Sequence, residues 1–121
     1  MQVIRIKNLR LRTIIGIFDW ERENKQDVIL NLTIEINAPE AGTKDHIDAT
    51  LDYKTICKNV IQLVEASSYQ LIETMAYEIL KRVLESPMAV TAEIEIDKPH
   101  ALRFADSVSY ALTLNRDELY G

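Results

Sequence analysis

The sequence predicts an α+β fold, strand–strand–helix–helix–strand–strand (ββααββ), with a four-stranded antiparallel sheet and two helices on one face. Three observations predict it. Apolar and polar residues alternate in two stretches before residue 38 and in two more after residue 88. Between residues 53 and 83 the apolar spacing changes to that of amphipathic helices. The 121 residues contain no linker, internal repeat or low-complexity tract, so residues 1–121 read as one domain. Two hairpins flanking two helices bury their apolar faces best when both helices cover the same side of the sheet.

Each element has its own signal. Met1-Gln2-Val3-Ile4-Arg5 leads straight into strand-like alternation, which leaves no room for a signal peptide. In the first strand Leu9, Leu11, Thr13, Ile15 and Ile17 alternate with Arg10, Arg12, Ile14, Gly16 and Phe18. Asp19-Trp20-Glu21-Arg22-Glu23-Asn24-Lys25 then forms a long polar hairpin loop. The second strand is clearer, with Val28, Leu30, Leu32, Ile34 and Ile36 set against Asn31, Thr33, Glu35 and Asn37. Ala38-Pro39-Glu40-Ala41-Gly42 stops it. Tyr53, Ile56, Cys57, Val60, Ile61 and Val64 share one face of a helix that Asp52 caps. Ser67-Ser68 breaks this helix and caps the next, which carries Ile72, Met75, Ala76, Ile79, Leu80 and Val83 and closes before Pro87. Val90, Ala92, Ile94 and Ile96 mark the third strand; Val108, Tyr110, Leu112 and Leu114 mark the fourth.

Composition narrows the function. A net charge of −5 argues against nucleic acid as the main partner, because phosphate binding needs clustered Lys and Arg. No apolar run is long enough to cross a bilayer. The single cysteine, Cys57, reads as a small buried hydrophobe; with no disulfide framework available, a reducing cytoplasm is expected. A short domain with 47% hydrophobic residues leaves apolar surface uncovered, and its outer strands have unpaired backbone groups. The second sheet face carries Ile14, Phe18 and Ile29. Closing several copies into a shared barrel would remove the edges, so a homo-oligomer is expected.

Chemistry-bearing side chains fall at element ends, where a rigid scaffold usually presents them. Glu21 lies in the first hairpin loop, Tyr53 opens the first helix, Glu73 sits in the first turns of the second, and Lys98 ends the third strand. Each also has an ordinary reading: a solvated loop acid, a core aromatic, an acid favoured near a helix start, and a strand-end charge. A metal site is not expected from two histidines, His46 and His100, and one cysteine, with His46 in a polar loop. Three glycines make no phosphate-cradling loop, and no nucleophile elbow precedes a serine.

Several segments are similar to the dihydroneopterin aldolase and dihydroneopterin triphosphate epimerase family. They are Ile4-Arg5-Ile6-Lys7-Asn8-Leu9-Arg10-Leu11-Arg12-Thr13, Ile15-Gly16-Ile17, Asp19-Trp20-Glu21, Leu51-Asp52-Tyr53 and Leu71-Ile72-Glu73. The longest runs from Ile94-Glu95-Ile96-Asp97-Lys98-Pro99-His100 through Ala101-Leu102-Arg103-Phe104-Ala105-Asp106-Ser107-Val108-Ser109. The resemblance implies the tunnelling fold, with four-stranded sheets assembled into a tetrameric barrel, barrels stacked as octamers, and reduced-pterin pockets between subunits. It implies that Glu73 anchors the pterin beside backbone contacts from Ile72 and Leu51, and that Glu21 lies near the substrate. Tyr53 and Lys98 match the pair associated with proton transfer. No cofactor is implied, because the substrate's own imine accepts the electrons. The ligand histidines of zinc-dependent relatives of the fold are not present as a set.

Two activities of that family compete. The Arg-Ile-Lys-Asn-Leu-Arg-Leu-Arg start and the His-Ala-Leu-Arg-Phe-Ala-Asp-Ser-Val-Ser segment resemble the epimerases, which invert C2′ of dihydroneopterin triphosphate. Pro99 and Asp19-Trp20-Glu21 resemble the aldolases, which release glycolaldehyde from dihydroneopterin. The expected function is the epimerase, with the aldolase as the alternative and a non-catalytic pterin-binding module as the second. A triphosphate needs cationic neighbours, for which Arg103 is the first candidate, with Lys54 and Arg12 behind it.

Overall fold

The structure, a computed structural model, describes residues 1–121. Its sheet has four antiparallel strands in the order β1-β2-β3-β4: β1 (Gln2–Thr13), β2 (Gln26–Ile36), β3 (Ala89–Pro99) and β4 (Ser107–Asn115). The hairpin β1–β2 contains a short helix α1 (Asp19–Glu23), and β2 is followed by α2 (Ala41–Lys44) and a 3₁₀ turn over Ile47–Ala49. The two long helices, α3 (Tyr53–Glu65) and α4 (Ile72–Val83), pack on one face, α3 against β1 and α4 against β3 and β4. A last turn, α5 (Arg116–Tyr120), follows β4. The predicted fold class is therefore the observed one. No helix is long and apolar enough to cross a membrane.

Alternation explains the core. Val28, Leu30, Leu32 and Ile34 of β2 and Ile94 and Ile96 of β3 are buried beneath the helices. They meet Val60 and Val64 of α3 and Met75, Ala76, Ile79 and Leu80 of α4. On the other face β1 presents Arg5, Arg10 and Arg12 while β3 presents Glu93 and Glu95, and that face is open to solvent. Of the apolar residues expected there, Ile29 is on a strand, whereas Ile14 and Phe18 lie past the end of β1.

Two bulges shift the alternation. Lys7 and Asn8 together oppose Asn31, and Asn8 adopts a left-handed φ of 54° with its N–H donating to Asn31 Oδ1 at 2.9 Å. The extra residue lets Ile4 and Ile6 share a face with Leu9 and Leu11. In β3, Ala89 pairs with Ile36 and Thr91 with Glu35, leaving Val90 as the extra residue. Val90, in phase with Ala92, Ile94 and Ile96 by alternation alone, is consequently 40% exposed, and Ala89 is buried in its place.

The first strand also stops earlier than its periodicity suggested. Thr13 Oγ1 donates to Val64 O at 2.7 Å, which ties the end of β1 to the end of α3 and lets the chain turn. Ile15 stays fully buried but off the strand. Asp52 caps α3 as expected, accepting from the N–H groups of Lys54 and Thr55 at 3.1 and 3.2 Å. Ser67 and Ser68 do not cap α4, whose N-cap is Leu71 with no side-chain bond. Ser67 Oγ instead donates back to Val64 O at 2.7 Å and so finishes α3. Cys57 is half-buried rather than fully packed.

Candidate active site

The end of β3, the turn after β1 and the start of α4 enclose an open cleft of about 430 Å³. Gly16 makes its floor possible. Its φ of +128° lies in the region that favours glycine, and its N–H donates to Tyr69 O at 3.2 Å. A Cβ there would collide with the carboxyl group of Glu21. Arg22 clamps the two loops together by donating to the carbonyls of Gly16 (3.0 Å), Tyr69 (3.2 Å) and Ser68 (2.8 Å).

Glu21 is 7% exposed, so it is not the solvated loop acid of its ordinary reading. Helix α1 turns its side chain back onto the preceding backbone, where Oε1 accepts from the N–H groups of Ile17 and Phe18, each at 3.2 Å. Oε2 accepts from Gln26 Nε2 at 3.1 Å and from Lys98 Nζ at 3.0 Å. Gln26 is itself held by Ile15 O at 2.8 Å. Burial pushes the Glu21 carboxyl up, but the bonds from Lys98, Gln26 and Phe18, with the Lys98 charge, outweigh it and hold the group below its ordinary value.

This saturation has a chemical consequence. A carboxylate offers about four lone-pair sites, and here all are taken by protein donors. Within the chain Glu21 therefore serves to hold Lys98 at the cleft. The ammonium and carboxylate side chains are only 14% and 10% exposed, so the amine is fixed with one bond spent and further protons free to donate into the cleft.

Glu73, in the first turn of α4, lines the same cleft beside Ile72. Its carboxylate makes no hydrogen bond or ion pair within the chain, so both oxygens can accept from a ligand with paired N–H groups. The structure thus brings Glu21, Ile72, Glu73 and Lys98 together. It does not bring Leu51, Tyr53 or Arg103 to them within one chain. Leu51 is buried just before α3, Tyr53 at the helix start is 53% exposed, and Arg103 sits in the exposed β3–β4 turn with its guanidinium 5.7 Å from the Phe104 ring centroid. Gln26, Arg22 and Gly16 were not expected at the site; Gly16, a glycine just ahead of a polar loop, was the one that carried a signal. No three His, Cys, Asp or Glu side chains converge on a point that would hold a metal ion.

The family model for dihydroneopterin aldolase (FolB) matches residues 4–113. The chain belongs to this family. Dihydroneopterin triphosphate 2'-epimerase from Pseudomonas aeruginosa is 51% identical over 96% of this chain and 94% of its own length. The protein of the same name from Escherichia coli K12 is 47% identical over 94% of this chain and 95% of its own. Dihydroneopterin aldolase from Haemophilus influenzae is 30% identical over 89% of this chain and 92% of its own. Within the dihydroneopterin aldolase family, then, this member is more similar to these epimerases than to that aldolase. The crystal structure of E. coli dihydroneopterin aldolase in complex with neopterin superposes with a TM-score of 0.90 at 25% identity, covering 95% of this chain and 100% of that one. The shared fold is the tunnelling fold expected from the resemblance.

Proposed function

We propose that this chain is a dihydroneopterin triphosphate 2'-epimerase that interconverts 7,8-dihydroneopterin triphosphate and 7,8-dihydromonapterin triphosphate. The carrying observation is the identity gap, 51% and 47% to two epimerases against 30% to an aldolase, each across nearly the whole chain. The cleft suits the chemistry. A base takes the proton of the C2′ hydroxyl, the C1′–C2′ bond breaks, and its electron pair moves into the C6=N5 imine to give an enamine with N5 protonated. The aldehyde fragment turns, C1′ attacks its other face, N5 gives up its proton, and the new C2′ oxygen is protonated.

Glu73 anchors the 2-amino edge of the pterin through two hydrogen bonds, and Ile72 supplies a backbone contact. Lys98 donates toward N5, where charge develops, and Glu21 positions it. General acid–base groups of this kind are typically worth roughly 10²–10⁴-fold. Tyr53 and Leu51 reach the cleft from a second copy of the chain, with Tyr53 moving the hydroxyl proton. The exposed rim of Ile17, Phe18, Trp20 and Leu71 supports such a neighbour, as do the unpaired outer edges of β1 and β4. Barrel closure through those edges gives a tetramer, and stacking of two barrels an octamer. The substrate class is a reduced pterin and no cofactor takes part.

An aldolase that releases the aldehyde is the second reading, favoured by the family model itself and by Pro99 after Lys98. Product analysis separates the two. Incubation with dihydroneopterin triphosphate should give the monapterin isomer faster than dihydroneopterin gives glycolaldehyde; the opposite order would make the protein an aldolase, and neither product would make it a pterin-binding module.

A further inference from the structure

We propose that His100 sets the preference for a phosphorylated substrate by donating a hydrogen bond from its imidazole to the phosphate tail at the cleft mouth. The inference rests on the pterin triphosphate reading above and names the residue that would distinguish that substrate from the free alcohol. His100 is one of three non-glycine residues with positive φ, at 65°. The other two have local explanations: Asn8 at 54° completes the β1 bulge, and Asp45 at 39° ends α2. His100 directly follows the last residue of β3, where glycine would adopt the same backbone without steric cost. A ringed side chain kept in that conformation points to a use for the ring.

The ring has no use inside the chain, since it makes no hydrogen bond or ion pair there. It lines the cleft with Ala101 and with Lys98. The other ionisable groups lining the cleft are Glu21, Glu73 and Lys98. Lys98 is paired to Glu21, which leaves the Glu73 carboxylate uncompensated. A polyanionic tail must therefore lie away from Glu73 and toward a donor that no protein acceptor has taken. Lys98, the cation of the lining, already has its charge matched by Glu21 and is aimed at N5, so His100 is the remaining basic side chain there with no protein partner. Arg103, three residues further along the same exposed turn, does not line the cleft and stacks on Phe104.

His100→Gly tests this cleanly, because it removes the imidazole and suits the left-handed backbone, so loss of fold is not expected. The ratio of kcat/KM for dihydroneopterin triphosphate to kcat/KM for dihydroneopterin should fall about tenfold or more, the size of one charge-assisted hydrogen bond. Competitive inhibition by inorganic tripolyphosphate should weaken by a similar factor, with the thermal midpoint unchanged or raised. An unchanged ratio overturns the proposal, and so does a ratio that falls in Arg103→Ala but not in His100→Gly. If the wild-type protein turns over neither pterin, the functional reading fails separately. Calorimetric binding of tripolyphosphate then still decides: equal affinity in wild type and His100→Gly removes His100 from the role, and a weaker variant retains it as an anion donor.

Discussion

Glu21 shows how a buried acid can be kept charged. Its carboxyl is held below its ordinary value of 4.5, so the ion pair with Lys98 stabilises the fold fully above that pH. The sign follows from the folded state binding its proton less tightly than the unfolded chain does. Stabilisation is lost as pH falls below 4.5 toward the folded value. Glu21→Gln leaves a nearly buried ammonium without its counter-charge, which should cost about 3 kcal/mol at neutral pH, the lower end for a broken buried pair. Urea denaturation at a series of pH values should show the gap between wild type and Glu21→Gln narrowing on acidification below 4.5. A gap independent of pH would mean that the pair contributes no charge-dependent stability. Gly16→Ala should be worse for the site, because the added Cβ meets the same carboxyl and φ is unsuitable. It should lower turnover at least about tenfold, as a displaced Lys98 loses its aim. Wild-type turnover in Gly16→Ala would show that the turn is not needed to aim Lys98. None of this was legible around Glu21 alone: the residue that makes it a site lies 77 positions away. The Asp52 cap was legible because its partners are two and three residues on.

At the scale of elements, periodicity carried the strands and long helices because each buries one face, and burial writes the pattern. It could not carry the bulges, since an inserted residue alters phase without altering composition. Val90 and Ala89 make the contrast testable. Val90→Lys should change stability by less than about 0.5 kcal/mol, as a surface substitution does. Ile94→Ala, from the buried face of the same strand, should cost about 2–5 kcal/mol through lost burial and the cavity left behind. Chemical denaturation of both variants checks the phase, and comparable losses would place Val90 on the buried face. The short helix α1 has the sequence of a polar loop, because five residues are too few to show a period. Its amphipathic logic is instead the return of one side chain, Glu21, onto its own N-terminus. Polar-loop composition concealed the site's most organised segment.

For the whole molecule, the proposed chemistry requires Tyr53 and Lys98 to meet on one substrate, although a single chain holds them apart. Sheet edges left free at β1 and β4, with exposed Ile17, Phe18, Trp20 and Leu71 around the cleft, point to a neighbouring copy as the missing wall. Family resemblance supplied this arrangement; no periodicity in one chain encodes which residues of two copies meet. Complementation tests it directly. Lys98→Ala and Tyr53→Phe should each be inactive alone. When the two are unfolded, mixed in equal amounts and refolded together, a site drawing Lys98 from one copy and Tyr53 from the next is intact with a chance of about one in four. Activity should therefore return to about a quarter of the wild-type value, and simple mixing without unfolding should restore less. Were both residues drawn from the same chain, every site would carry one defect and no activity would return. That outcome would overturn the site shared between two copies, whereas an active Tyr53→Phe protein on its own would remove the phenol from the chemistry.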